Sequence, residues 1–211
     1  MSNLTHFQNE IVRLFFSLPA SHGFLLAGGG ALLASNLTSR PTQDLDFFGV
    51  PDVVDIGAAR DQLVKSLTSK SIKCEHVHES DQFVRLRLST GVEELVVDLA
   101  IESPPGRPPA MTIVGPTFDP EELAGRKLAA LFSRAEARDF TDMFELARRF
   151  DRHLVLLRAT EVDLDIEPRM LATMMRTISR FTDDELPIEV SEVMAVRAFF
   201  GSWADELDTS E

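Results

Sequence analysis

Two neighbouring stretches decide the fold: Leu26-Ala-Gly-Gly-Gly-Ala-Leu-Leu33 and Arg40-Pro-Thr-Gln-Asp-Leu-Asp-Phe-Phe48. The first reads as a short buried strand, Gly23 to Ala27, that passes through three glycines into a helical Ala31 to Leu37. The second reads as another strand. Side chains along a strand point alternately to opposite faces, so Asp44 and Asp46 share one face while Leu45 and Phe47 share the other. Two carboxylates side by side repel, and without a counterion one of them tends to stay protonated. A divalent cation removes that conflict. Magnesium in phosphoryl-transfer sites is held by one or two carboxylates together with the substrate phosphates.

Such a site calls for a third carboxylate on a neighbouring strand, and Glu94-Leu-Val-Val-Asp-Leu-Ala-Ile101 supplies one. Leu95, Val97, Leu99 and Ile101 fill one face, and Asp98 interrupts the other, where a lone charge is costly unless paired. Asp44, Asp46 and Asp98 together are the candidate ligands for two Mg2+ ions about 4 Å apart, the arrangement that stabilises both oxygens of an in-line displacement. The glycines suit the same chemistry. Gly28 and Gly29, at a strand-to-helix turn, let backbone N–H groups approach a triphosphate.

Outward from this centre the pattern is mixed first and helical later. Leu4, Phe7, Ile11, Leu14, Phe15 and Leu18 give an amphipathic first helix that Pro19 ends. Ile56 to Leu67 reads as a helix. Strands follow at Ile72 to Val77, Phe83 to Leu88 and Leu95 to Ile101; in the middle one Arg85 and Arg87 alternate with Val84, Leu86 and Leu88. Ser103-Pro-Pro-Gly-Arg-Pro-Pro109 reads as a linker or exposed loop. Beyond Asp119-Pro120, helices are expected around Leu123–Phe132 and Phe140–Ala147, and within Arg169–Phe181 and Ile188–Phe200. The expectation is an α+β chain: a mixed sheet with flanking helices over residues 1–118, then a helical lobe over 119–211.

With 211 residues and a formal net charge of −13, the chain is long enough for a substantial core and too acidic to bind a polyanion over its whole surface. Any nucleic-acid footprint is therefore local. The one basic run is Arg126, Lys127, Arg134, Arg138, Arg148, Arg149, Arg152 and Arg158, and arginines on solvated helix faces are the plain alternative. Asp205-Glu-Leu-Asp-Thr-Ser-Glu211 reads as a solvated tail. A single cysteine, Cys74, and the lack of a secretory leader or a membrane-length apolar run point to a cytoplasmic setting. His76 and His78 alternate on a strand without a further ligand at suitable spacing. No phosphate-binding loop ending in Gly-Lys-Ser/Thr occurs, which removes that class of ATPase.

The pair of stretches, Gly-Gly before an apolar helix start and then Arg-x-Thr-x-Asp-Leu-Asp-Phe-Phe, resembles the AbiEii-type branch of the nucleotidyltransferase superfamily. Gly125-Arg-Lys-Leu-Ala-Ala-Leu-Phe-Ser-Arg-Ala-Glu-Ala-Arg-Asp-Phe-Thr-Asp142 is similar to that family's second signature. Such families often carry Ser or Thr after the glycine pair, where this chain has Gly30.

The resemblance implies a catalytic lobe of the DNA polymerase beta type and a Mg2+-dependent transfer of a nucleoside monophosphate from an NTP, with pyrophosphate released. It implies that Lys127 contacts the β- and γ-phosphates, with Asp142 and Asp139 orienting Lys127 or Arg138. Asp98 becomes the general base or the ligand that positions the attacking oxygen. Arg40 either contacts the triphosphate or pins the loop before Asp44, and Arg85 and Arg87 touch phosphate or nucleic acid. AbiEii-type proteins include toxins of toxin–antitoxin pairs, and the MenT group among them adds nucleotides, pyrimidines preferred, to the 3′ end of tRNA. By resemblance the acceptor is tRNA, the partner is an antitoxin, and Thr42 is a position that an antitoxin could phosphorylate. A protein or small-molecule acceptor such as an aminoglycoside, and a non-catalytic nucleotide-binding regulator, remain alternatives.

Overall fold

The computed structural model describes residues 3–209. The chain divides into two compact units, Met1–Pro120 and Glu121–Glu211. Together they give an α+β fold: a mixed sheet with helices in the first unit, and helices alone in the second.

In the first unit the described residues form a seven-stranded sheet, ordered β3-β4-β5-β2-β1-β7-β6. Its strands are β1 (Phe24–Ala27), β2 (Asp44–Gly49), β3 (Lys73–Glu79), β4 (Phe83–Ser89), β5 (Glu94–Ile101), β6 (Ala110–Met111) and β7 (Pro116–Thr117). β2 lies between β1, which runs antiparallel to it, and β5, which runs parallel. Leu45 and Phe47 of β2 are fully buried, as are Val97 and Leu99 of β5, so the apolar halves of both alternations build the core. Phe47 stacks against Phe15 of helix α1 (His6–Phe16) at 4.1 Å between ring centroids. A reciprocal cap starts that helix: Thr5 Oγ1 accepts from the Gln8 amide, and Gln8 Oε1 accepts from the Thr5 amide. Helix α3 (Ile56–Ser69) buries Ile56, Ala59, Leu63 and Leu67, one face at three- and four-residue spacing.

The second unit contains α4 (Pro120–Arg134), α5 (Ala137–Leu146), α6 (Arg152–Val162), α7 (Pro168–Arg176) and α8 (Val193–Thr209). Phe140 of α5 and Phe200 of α8 are both fully buried and meet edge to face at 5.0 Å. Gly125 marks a close crossing of α4 and α6, since a Cβ there would lie 2.6 Å from backbone and side-chain atoms of Arg158.

Four details depart from expectation. The glycine triplet does not precede the helix but forms its first turn, because α2 spans Gly28–Ala34. The segment after the Pro-rich loop pairs as β6 and β7, two-residue strands too short to show an alternation. Helix α6 went unanticipated because Leu154 to Leu157 are consecutive rather than periodic; only Val155 and Ala159 are buried. The acidic tail is no tail as far as Thr209: it is the end of α8, where Leu207 is buried and Asp205 and Asp208 both pair with Arg176. Ser210 and Glu211 lie outside the described residues.

Candidate active site

In the first unit the strand register brings the three expected aspartates to one region of the sheet. Asp46 stands opposite Asp98 in the parallel pair of β2 and β5, with Asp44 two residues earlier, opposite Val96. On its other side Asp46 faces Ala27, the last residue of β1, so it lies next to the start of α2. Here the backbone and the carboxylate fit each other. A Cβ on Gly28 would lie 1.9 Å from Asp46 Oδ2, and Gly28 has φ +56°, so both space and conformation require glycine. Gly29 borders the next polar group, since a Cβ there would lie 2.7 Å from Thr42 Oγ1 and 3.6 Å from Arg40 Nη2. Gly30 faces the core instead, where a Cβ would lie 3.0 Å from Leu45 Cδ2. A hydroxyl at position 30 would thus meet apolar side chains, and the departure from Ser or Thr removes no polar contact from the site.

Thr42 is buried, and its hydroxyl donates to Asp44 Oδ1 at 2.6 Å. Its carbonyl accepts from Gln8 Nε2 at 2.8 Å, which ties the loop before β2 to helix α1. Arg40 donates from Nη1 to the Pro41 carbonyl at 2.9 Å, in keeping with a part in shaping this loop. An open recess of about 460 Å3 borders the starts of β2 and β5, lined among others by Gln8, Thr42, Gln43 and Arg87.

Asp98 is 5% exposed and has a partner that sequence reasoning assigned elsewhere. Arg85, opposite it on antiparallel β4, donates from Nε to Oδ1 at 2.8 Å and from Nη2 to Oδ2 at 2.7 Å. The Asp98 hydrogen bond raises the Arg85 guanidinium above its usual range; burial opposes this, and the charges of Asp98, Asp46 and Asp44 reinforce it. Arg87, two residues on, pairs instead with Glu75. As a donor set, three carboxylates on adjacent strands suit Mg2+. Among the described residues, however, no three His, Cys, Asp or Glu side chains converge on a common metal-binding point. Both Asp98 oxygens serve Arg85.

In the second unit the expected lysine is at the centre of a buried ionic cluster. Lys127 of α4 is 7% exposed, and its Nζ lies 3.3 Å from Asp139 Oδ1 and 3.1 Å from Asp142 Oδ2, both on α5 and both fully buried. Asp139 also accepts from Arg134 Nε and Nη2 and from the Glu136 amide. Burial pushes the Asp139 carboxyl up, but the Arg134 hydrogen bond and the charges of Lys127 and Arg134 outweigh it and hold the group below its ordinary value. Asp142 is therefore no helix-surface residue, and Arg138 bonds Glu136. Arg134 was missed as a member of this cluster. Its signal was the Glu136-x-x-Asp139 cap, which turns Asp139 back toward the end of α4.

The basic run is largely consumed by ion pairs. Arg126 pairs with Glu122, Arg148 with Glu192, Arg152 with Glu206, and Arg158 with Glu121 and Glu161. His76 lies by Glu79 on an exposed edge strand, and Cys74 is half-buried, with its thiol pushed up by burial. Among the described residues no helix is long and apolar enough to cross a membrane.

A family model described as nucleotidyl transferase AbiEii toxin, type IV TA system, matches residues 13–190. The chain belongs to the AbiEii family. It is thus a nucleotidyltransferase, the toxin of a type IV toxin–antitoxin system. Both aspartate strands and the lysine cluster lie inside the AbiEii match. No curated protein matches the sequence. Among solved structures, the chain resembles a candidate nucleotidyltransferase from Helicobacter pylori at 19% identity, with TM-score 0.60 over 97% of this chain and 96% of that one. MenT4, a nucleotidyltransferase toxin from Mycobacterium tuberculosis H37Rv, gives 17% identity and TM-score 0.58 over 97% of this chain and 82% of its own. JHP933 from Helicobacter pylori gives 18% and 0.53 over 97% and 96%. At such identities the likeness is one of fold, and it agrees with the AbiEii assignment.

Proposed function

We propose that this AbiEii chain transfers a nucleoside monophosphate, pyrimidine preferred, from an NTP to the 3′ end of tRNA, with release of pyrophosphate and arrest of translation. The observation that carries the chemistry is the placement of Asp46 opposite Asp98, beside a Gly28 whose missing Cβ leaves room for the Asp46 carboxylate. Asp44 and Asp46, with Asp98 beside them, would hold Mg2+, which supplies charge neutralisation for the triphosphate and lowers the pKa of an acceptor hydroxyl. Gly28 and Gly29 keep side chains away from the start of α2, where backbone amides suit phosphate oxygens. Lys127 is the phosphate-contacting cation, held in one orientation by Asp139 and Asp142. The two units are proposed as a catalytic lobe and a helical lobe, and the partner as a cognate antitoxin.

The acceptor is tested directly. Purified protein is incubated with Mg2+, each α-labelled NTP in turn and total tRNA, beside an Asp44→Ala/Asp46→Ala control. Label on tRNA only with intact aspartates, strongest with CTP or UTP, is the expected result. Folded protein that binds Mg-NTP and leaves tRNA unlabelled would overturn the tRNA reading. One observation favours a second acceptor class: ion pairs take up most of the basic run, and the net charge is −13. Labelled NTP in a cell lysate would then mark a protein band or a small molecule. A regulator without turnover has no chemical need for the three carboxylates.

Thr42 is proposed as a modification point on the strength of its contact with Asp44. A phosphate there would add negative charge beside Asp44 and compete for the metal. Thr42→Glu is expected to leave no measurable transfer. Thr42→Val, which loses only the hydroxyl's hydrogen bond, is expected to lose no more than about tenfold. Full activity of the Glu variant in the same assay would dismiss the idea.

A further inference from the structure

We infer that Arg85 is the resident counter-cation of Asp98, so that the site takes one divalent ion at Asp44 and Asp46 and admits a second to Asp98 only by displacing the guanidinium. The inference rests on the carboxylate site proposed above and goes beyond it by fixing how many ions the chain holds without nucleotide. Register places Arg85 on one side of Asp98 and Asp46 on the other. Two parallel N–H···O bonds at 2.8 and 2.7 Å use both Asp98 oxygens, and fork-on-carboxylate pairs are among the stronger charge-assisted hydrogen bonds. The Phe83 ring, 5.4 Å from the guanidinium carbon, favours the same placement.

Charge and exposure agree with this assignment. Arg85 neutralises the charge of Asp98, one of the three carboxylates. The Asp98 side chain is 7% exposed, whereas that of Arg85 is 47% exposed. The guanidinium can therefore swing off into solvent without unpacking the sheet, while the carboxylate stays where it is. Arg87 shows that the basic face of β4 does not by itself serve the aspartates, because it pairs with Glu75 on β3.

The test uses Mn2+ as probe on the full chain without nucleotide, read from the electron-paramagnetic signal of the free ion, with thermal melting alongside. Wild type should bind one equivalent. Arg85→Gln should bind Mn2+ about tenfold more tightly or more, or take a second equivalent, since a competing charged hydrogen bond is gone. Its melting temperature should start below that of wild type and rise more on adding Mn2+. Arg85→Lys should fall between the two. Equal stoichiometry and affinity in wild type and Arg85→Gln, with binding lost in Asp44→Asn/Asp46→Asn, would overturn the role of Arg85 and leave the metal site standing. Two equivalents in wild type would overturn it as well. No uptake by any variant would remove the metal site and the inference with it.

Discussion

Replacing Asp44 and Asp46 together by asparagine is expected to abolish nucleotide transfer, by about a thousandfold or more, without unfolding the protein. The loss follows from chemistry: a metal that stabilises several kcal/mol of developing charge is lost with its ligands, at ~1.4 kcal/mol per decade of rate. Folding should survive for a separate reason. The apolar sides of both strands are untouched, since Leu45, Phe47, Val97 and Leu99 remain fully buried. Asparagine also keeps an oxygen for the Thr42 hydroxyl. Asparagine matches aspartate in size, so melting without metal should occur near the wild-type temperature. Transfer kinetics and a melting curve check both halves. A double variant that stays folded and retains more than a tenth of the activity would place the reaction elsewhere on the chain.

Lys127→Met should have the largest effect on stability. It leaves Asp142 and part of Asp139, both fully buried, without their ammonium partner, and breaking a buried pair from one side costs about 3–5 kcal/mol. Thermal unfolding reads that loss. Adding Asp142→Asn should recover much of it, because the buried carboxylate that faced the lost ammonium is removed as well. Activity should stay lost in the recovered double variant if Lys127 touches phosphate, whereas a purely structural lysine would let it return. Acid gives a second readout. Asp139 titrates lower in the folded chain than in the unfolded one, so its contribution is present above the unfolded value, about 3.9, and fades as pH falls through the folded one. Without Lys127 the folded value rises, and acid destabilisation should begin at higher pH than in wild type.

What the sequence made legible followed from periodicity. The alternation through Asp44-Leu-Asp-Phe47 and the break in alternation at Asp98 were visible because one face of each strand must be apolar to build the core. Their mutual register was not visible, since which strands pair depends on the whole sheet, and with it the opposition of Arg85 and Asp98 stayed hidden. Helix α6 escaped for a local reason, having too few buried positions to leave a period. The end of α8 escaped because its charges are exposed and pair with Arg176 on α7, a contact made only in three dimensions. Lys127 and Asp142 were reached by family resemblance alone. A lysine on an amphipathic helix carries no mark of burial in its own sequence.

The parallel pairing of β2 with β5 also orders events in time. Strands that pair in parallel cannot follow one another directly, and here α3, β3 and β4 lie between them along the chain. A growing polypeptide that has emerged only through β4 carries Asp44 and Asp46 but not Asp98, and the opposition of Asp46 to Asp98 cannot form until β5 has been made and slotted beside β2. Domains fold N-terminal first as the ribosome delivers them, so the first half of the sheet gains no early start on the reaction. The pairing of Asp46 with Asp98 is therefore completed only once β5 has been made.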